Sequence, residues 1–68
     1  MSDRLWRVRK NHTWIDARVD EQGARVELTF FYNGERVFAT ECASRHDAVG
    51  EADRRLRELQ RAGWNTHW

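Results

Sequence analysis

The sequence lacks proline altogether and has only one cysteine, one lysine and no long hydrophobic run. Without proline, no residue forces a break in a strand or a helix. The lone cysteine, Cys42, excludes an internal disulfide, and the missing apolar run excludes a transmembrane helix. Since no secretory signal is visible either, we expect a cytoplasmic protein.

The chain also lacks a strong excess of charge of either sign. Twelve basic and eleven acidic residues leave a formal net charge of +1, unlike a strongly basic nucleic-acid binder. With 68 residues it suits one small domain, 1–68. Such a domain buries only about 60% of its unfolded surface, so it would gain stability from forming a homodimer.

Motifs for catalysis and metal binding are absent as well. The sequence has no glycine-rich phosphate loop, nucleophile elbow or paired-acid motif. Cys42 and His46 lie four positions apart at a strand-to-helix junction. A zinc site needs about four ligands at a recognisable spacing, and these are only two. A helix N-terminus lowers the pKa of a nearby thiol, yet no orienting acid accompanies Cys42. We expect neither an enzyme nor a metal or other cofactor.

One helix is predicted near the C-terminus, over residues 45–62. Ser44 is a suitable N-cap, and Asp47 three residues later completes a capping box. Gly63 fits the C′ position that ends a helix, and Trp64 would then fold back on the last turn. The apolar stripe of the helix is formed by Val49, Ala52, Leu56 and Leu59.

Four strands are predicted upstream, at residues 5–10, 14–20, 25–32 and 35–42, and residues 63–68 are left as a tail. Asn33-Gly34 between apolar runs is the strongest short hairpin signal. This turn pairs Phe31 with Arg36, and Thr29 with Phe38. With four-residue loops in the other two hairpins, Arg18 faces Glu27 and Arg7 faces Asp16, which are complementary pairs.

One face of this sheet is almost wholly apolar, and the helix is the only element that can cover it. The predicted fold is therefore α+β, a four-stranded antiparallel β-meander followed by one C-terminal α-helix packed on one face (ββββα). The apolar face consists of Trp6, Val8, Ile15, Ala17, Val19, Val26, Leu28, Phe30, Val37 and Ala39.

The opposite face, which we call the open face, is predicted to carry aromatic rings beside arginines. A contiguous aromatic patch on a surface needs an explanation, whereas a single exposed ring does not. Rings on a sheet stack on bases, and nearby arginines bind phosphates. The candidate site for nucleic acid or another partner consists of Arg7, Arg9, Trp14, Phe31, Arg36 and Phe38.

Three interpretations of this patch stay open at the level of sequence. Trp68 in the tail covers it, two copies stack through it as a homodimer, or single-stranded DNA or RNA binds it. We expect a small non-enzymatic binding module that self-associates, with single-stranded nucleic acid as the favoured ligand class. The alternative is a protein–protein interaction or assembly module whose open face is a dimer interface. No membrane or small-molecule partner is implied.

The order of four antiparallel strands and one helix resembles the repeat unit of the Whirly and PUR families. The resemblance covers Leu5 to Gly63 and rests on element order, so no functional residue is carried over from a motif. It implies binding of single-stranded DNA or RNA and, for PUR-type repeats, association in pairs. Because a shared fold does not fix function, the residues themselves have to support this expectation.

Overall fold

The computed structural model describes residues 2–66 and contains one antiparallel sheet with one helix packed on it. The elements are β1 (Ser2–Lys10), β2 (Thr13–Gln22), β3 (Arg25–Tyr32), β4 (Glu35–Cys42), α1 (Arg45–Arg61) and β5 (Asn65–Thr66). The sheet order is β4-β3-β2-β1-β5, which confirms the predicted ββββα meander. The tail adds the short strand β5 at the edge of β1, and Trp68 lies outside the described residues.

Helix α1 is capped at both ends as the sequence predicts. The Ser44 side chain accepts a hydrogen bond from the backbone N–H of Asp47 at 3.1 Å. At the other end Gly63 has a φ of 98°, which favours glycine, and the Trp64 N–H donates to the Leu59 carbonyl at 3.0 Å. Neither α1 nor any other helical segment of residues 2–66 has the length and apolar character needed to span a membrane.

The helix covers the apolar face of the sheet, and Trp6 joins the two layers. Its indole N–H donates to the carbonyl of Ala52 at 2.9 Å, and its ring centroid lies 5.9 Å from that of Phe30. Val49, predicted to be on the buried stripe, is 42% exposed, and Ala48 takes its place. The buried apolar residues are Trp6, Val8, Ala17, Val19, Val26, Leu28, Phe30, Ala48 and Ala52.

A β-bulge in β4 changes which of its side chains face the helix. Phe31 pairs with Arg36 as predicted, but Phe30 pairs with Phe38, so that Val37 is the extra residue. The Phe38 ring accordingly lies 6.1 Å from Phe30, on the helix side of the sheet. The prediction that Phe38 belongs to the open face is therefore wrong.

The same bulge removes two residues from the predicted core. Thr29 pairs with Ala39 instead of Phe38, which places Ala39 on the open face. Val37 is 61% exposed. Because side chains along a strand alternate between faces, the shift of one residue moves Phe38 and Ala39 to the faces opposite to those predicted. Val37, the extra residue, stays on the helix side but is not packed in the core.

The β2–β3 hairpin is tighter than predicted but leaves every side chain on its expected face. Gln22 pairs with Arg25 across a two-residue loop that begins at Gly23, whose φ is 61°. Arg18 consequently faces Thr29 and not Glu27. A shift of two residues preserves the alternation, so the open face keeps its composition in β2 and β3.

Candidate nucleic-acid interface

The basic and acidic residues of the open face lie mainly at opposite ends of the sheet. The end near the β3–β4 turn, which we call the basic end, has five arginines, one aspartate and two aromatic rings. The opposite end has three carboxylates and one arginine, so a protein with a net charge of +1 has a locally basic surface. The basic end comprises Arg4, Arg7, Arg9, Trp14, Asp16, Arg18, Phe31 and Arg36. The acidic end comprises Asp20, Arg25, Glu27 and Glu41.

The Arg7–Asp16 ion pair lies at the centre of the basic end. The guanidinium of Arg7 donates from Nε to Oδ1 of Asp16 at 2.5 Å and from Nη2 to Oδ2 at 2.8 Å. These hydrogen bonds lower the pKa of Asp16, against the opposing effect of burial, and the charges of Arg4 and Arg18 lower it further. Asp16 is therefore ionised and binds Arg7 in a fixed orientation.

Phe31 lies beside this ion pair, directly across from Asp16 on the neighbouring strand. The guanidinium carbon of Arg18 is 5.9 Å from the centroid of the Phe31 ring, close enough for a cation–π contact. The ring is half-buried, while Thr29 near it is only 6% exposed. Phe31 is thus partly covered by its neighbours and partly exposed to solvent on the open face.

Trp14 lies one row nearer to the turn, opposite Arg9 of β1. Its backbone N–H donates to Oδ1 of Asn33 at 2.9 Å, and the Asn33 N–H donates to the Trp14 carbonyl at 2.9 Å. These two hydrogen bonds fix the backbone of Trp14 to the β3–β4 turn. Because Phe31 pairs with Asp16 on β2, Trp14 and Phe31 are diagonal neighbours on the open face.

Four arginines of the basic end have no ion-pair partner within residues 2–66, in contrast to most of the helix arginines. The helix pairs are surface pairs such as Arg54 with Glu51 and Arg57 with Asp53. An arginine that is not neutralised by its own protein can bind a phosphate without first breaking another contact. The four are Arg4, Arg9, Arg18 and Arg36.

The structure brings together five of the six predicted site residues and adds two. Five of them share the basic end: Arg7, Arg9, Trp14, Phe31 and Arg36. The sixth, Phe38, lies on the helix side of the sheet. The first added residue is Arg18. Alternation along β2 places it on this face, and this signal was already present in the sequence. The second added residue is Arg4. Its place on this face depends on a β-bulge in β1 that has no local sequence signature.

The surroundings of Cys42 disfavour the thiolate form of its side chain. Burial raises its pKa, and the nearby carboxylates of Asp47 and Glu51 raise it further. In residues 2–66, no three side chains of histidine, cysteine, aspartate or glutamate are grouped closely enough to hold a metal ion.

Comparison of the chain with protein-family models, with curated proteins and with solved structures finds no match. The resemblance to the Whirly and PUR families thus rests on the order of elements alone. The function of the protein therefore has to be inferred from the residues of the basic end.

Proposed function

We propose that this protein is a small non-enzymatic binding module that binds single-stranded nucleic acid on the basic end of its open face. The observation that supports this proposal is the separation of charge. Five arginines and two aromatic rings surround one buried carboxylate, while the acidic residues of the face lie at the other end. The affinity of nucleic-acid binders depends on such local charge more than on net charge.

The two aromatic rings favour single strands over duplexes. In a duplex the faces of the bases are already stacked on one another, whereas unpaired bases can stack on Trp14 and Phe31. In this proposal the four arginines without an ion pair contact phosphates. Asp16 acts as a positioning residue, because its carboxylate fixes the guanidinium of Arg7 beside Phe31.

The test is a comparison of two phenylalanines on opposite faces of the sheet. A labelled oligothymidine of about six nucleotides, short enough to engage one copy of the chain, is titrated at low salt and followed by fluorescence anisotropy. Phe31→Ala is expected to weaken binding roughly 5- to 150-fold, since stacking contributes about 1–3 kcal/mol per base. Phe38→Ala, on the helix side, is the matched control and should leave the affinity unchanged.

Equal affinities of the wild type, Phe31→Ala and Trp14→Ala would contradict the assignment, provided that circular dichroism shows all three to be folded. Equal losses in Phe31→Ala and Phe38→Ala would also contradict it, because the ligand would then not distinguish the two faces.

The alternative function, a protein–protein module that dimerises through the open face, is favoured by one observation. Two copies stacked in opposite directions would place the basic end of one on the acidic end of the other. This arrangement has to desolvate a layer of charged side chains, which offsets much of the attraction. Such a dimer would dissociate as salt is added, and sedimentation equilibrium at low and high salt tests it.

A further inference from the structure

A groove on the helix side of the sheet lies between the β3–β4 hairpin and the C-terminal half of α1. It has a volume of about 390 Å³, and its walls are mainly apolar. The apolar side chains that line it are Ile15, Phe30, Tyr32, Val37, Phe38 and Leu59.

The groove exists because α1 covers the sheet unevenly. In its first half, Ala48 and Ala52 are buried, since alanine allows a helix to lie close to a sheet. In its second half, Leu56 and Leu59 are only partly buried. The corner of the sheet formed by β3 and β4 is therefore left without a cover, and the bulge at Val37 turns apolar side chains towards it.

Most of the large exposed apolar side chains of residues 2–66 line this groove. In the described part of the chain, four large apolar side chains are exposed, and three of them line the groove: Tyr32 at 43%, Val37 at 61% and Phe38 at 50%. The fourth, Val49 at 42%, lies on the helix outside the groove. Single exposed apolar residues are ordinary, but a cluster beside a groove indicates a contact surface.

We propose that a second copy of this chain packs into this groove about a two-fold axis. Two residues of opposite charge, Arg55 and Glu58, line the helix side of the groove one turn apart. When two such helices meet in antiparallel orientation, each Arg55 lies opposite the Glu58 of the other copy. A second copy therefore supplies both the apolar wall and the matching charges by symmetry, whereas an unrelated partner would have to supply each separately.

The existing ion pairs of these two residues do not prevent this contact. Arg55 pairs with Glu51, and Glu58 pairs with Arg54 at 3.6 Å, all on one face of the helix that solvent reaches. Surface pairs of this kind contribute about 0–1 kcal/mol, so they can rearrange when a partner approaches.

The bulge in β4 also determines how the copies meet. A bulge interrupts the regular ladder of backbone groups and opposes edge-to-edge strand pairing. The two copies accordingly associate through side chains, without extending one sheet into the other. Because the contact lies on the helix side, it leaves the open face uncovered, and it does not depend on nucleic-acid binding.

The test uses two exposed valines, one in the groove and one outside it. Sedimentation equilibrium of the wild type should give the mass of a dimer at micromolar concentration. Val37→Lys should raise the dimer dissociation constant by roughly 100-fold, because it places an unpaired charge in the apolar contact. Val49→Lys is the matched control and should leave the mass unchanged. A monomeric wild type, or equal dissociation constants for both variants, would overturn the proposal.

The charge pair provides a second, independent readout. Glu58→Arg brings like charges together twice in the dimer and should weaken it by about tenfold or more. The double variant Arg55→Glu/Glu58→Arg restores the complementary pairs and should recover most of the affinity. If the double variant is as weak as the single one, the two-fold arrangement is wrong.

Discussion

Trp6 and Asp16 lie on opposite faces of the same sheet and are equally buried, each 3% exposed. Trp6 is covered by the helix, to which its indole N–H donates a hydrogen bond. Asp16 is not covered by the helix, because it lies on the other face. Its carboxylate instead forms two hydrogen bonds with Arg7, a residue of the same face.

This difference shows that the sheet is stabilised in two separate ways. On the helix side, stability depends on apolar volume and close packing. On the open face, it depends on charge-assisted hydrogen bonds within a layer of side chains that solvent still reaches. Substitutions that remove apolar volume should therefore lower stability most on the helix side. Substitutions that remove a charge should lower it most on the open face.

The largest expected effect is on the helix side. Trp6→Ala removes a buried ring and a hydrogen bond, and should lower the free energy of unfolding by about 3–5 kcal/mol. Trp14→Ala, on the open face, removes a half-buried ring and should cost only about 1–2 kcal/mol. Urea denaturation of both variants measures the difference. Equal losses would mean that the open face is as tightly packed as the core.

A smaller effect, and one that depends on pH, is expected on the open face. Asp16→Asn weakens two charge-assisted hydrogen bonds and should lower the free energy of unfolding by about 1.5–3 kcal/mol at neutral pH. The pKa of Asp16 is lowered in the folded protein, so its stabilisation is fully present above the unfolded pKa of about 3.9. It is lost as the pH falls through the lower pKa of the folded state.

Urea denaturation of the wild type and Asp16→Asn at neutral and strongly acidic pH tests this prediction. The two proteins should differ at neutral pH and converge in acid. Asp53→Asn is the control, because Asp53 forms only an exposed pair with Arg57, and it should have little effect at either pH. A difference between wild type and Asp16→Asn that persists unchanged in acid would contradict the proposed role of the carboxylate.

The features that could be predicted from the sequence are those with local causes. The caps at Ser44 and Gly63 and the turn at Asn33 each depend on a few neighbouring residues, and all three are confirmed. Alternation along β2 correctly separates its two faces, because that strand has no bulge.

The features that could not be predicted depend on packing between elements. Nothing in the residues around Val37 distinguishes a bulged strand from a regular one, so simple alternation predicts the wrong face for Phe38. Likewise, periodicity alone does not decide between Ala48 and Val49 as the buried position. That choice depends on how closely the helix approaches the sheet, and the smaller side chain allows the closer approach.

The central claim, that the basic end binds the phosphates of a single strand, is tested most directly by the salt dependence of oligonucleotide affinity. Each phosphate contact to a single strand contributes a slope of about −0.7 to the logarithm of the affinity against the logarithm of salt concentration. Contacts from Arg4, Arg9, Arg18 and Arg36 therefore predict a slope of about −3, and Arg36→Ala should make it shallower by about 0.7. No binding at low salt, or an affinity that does not change with salt, would contradict the claim.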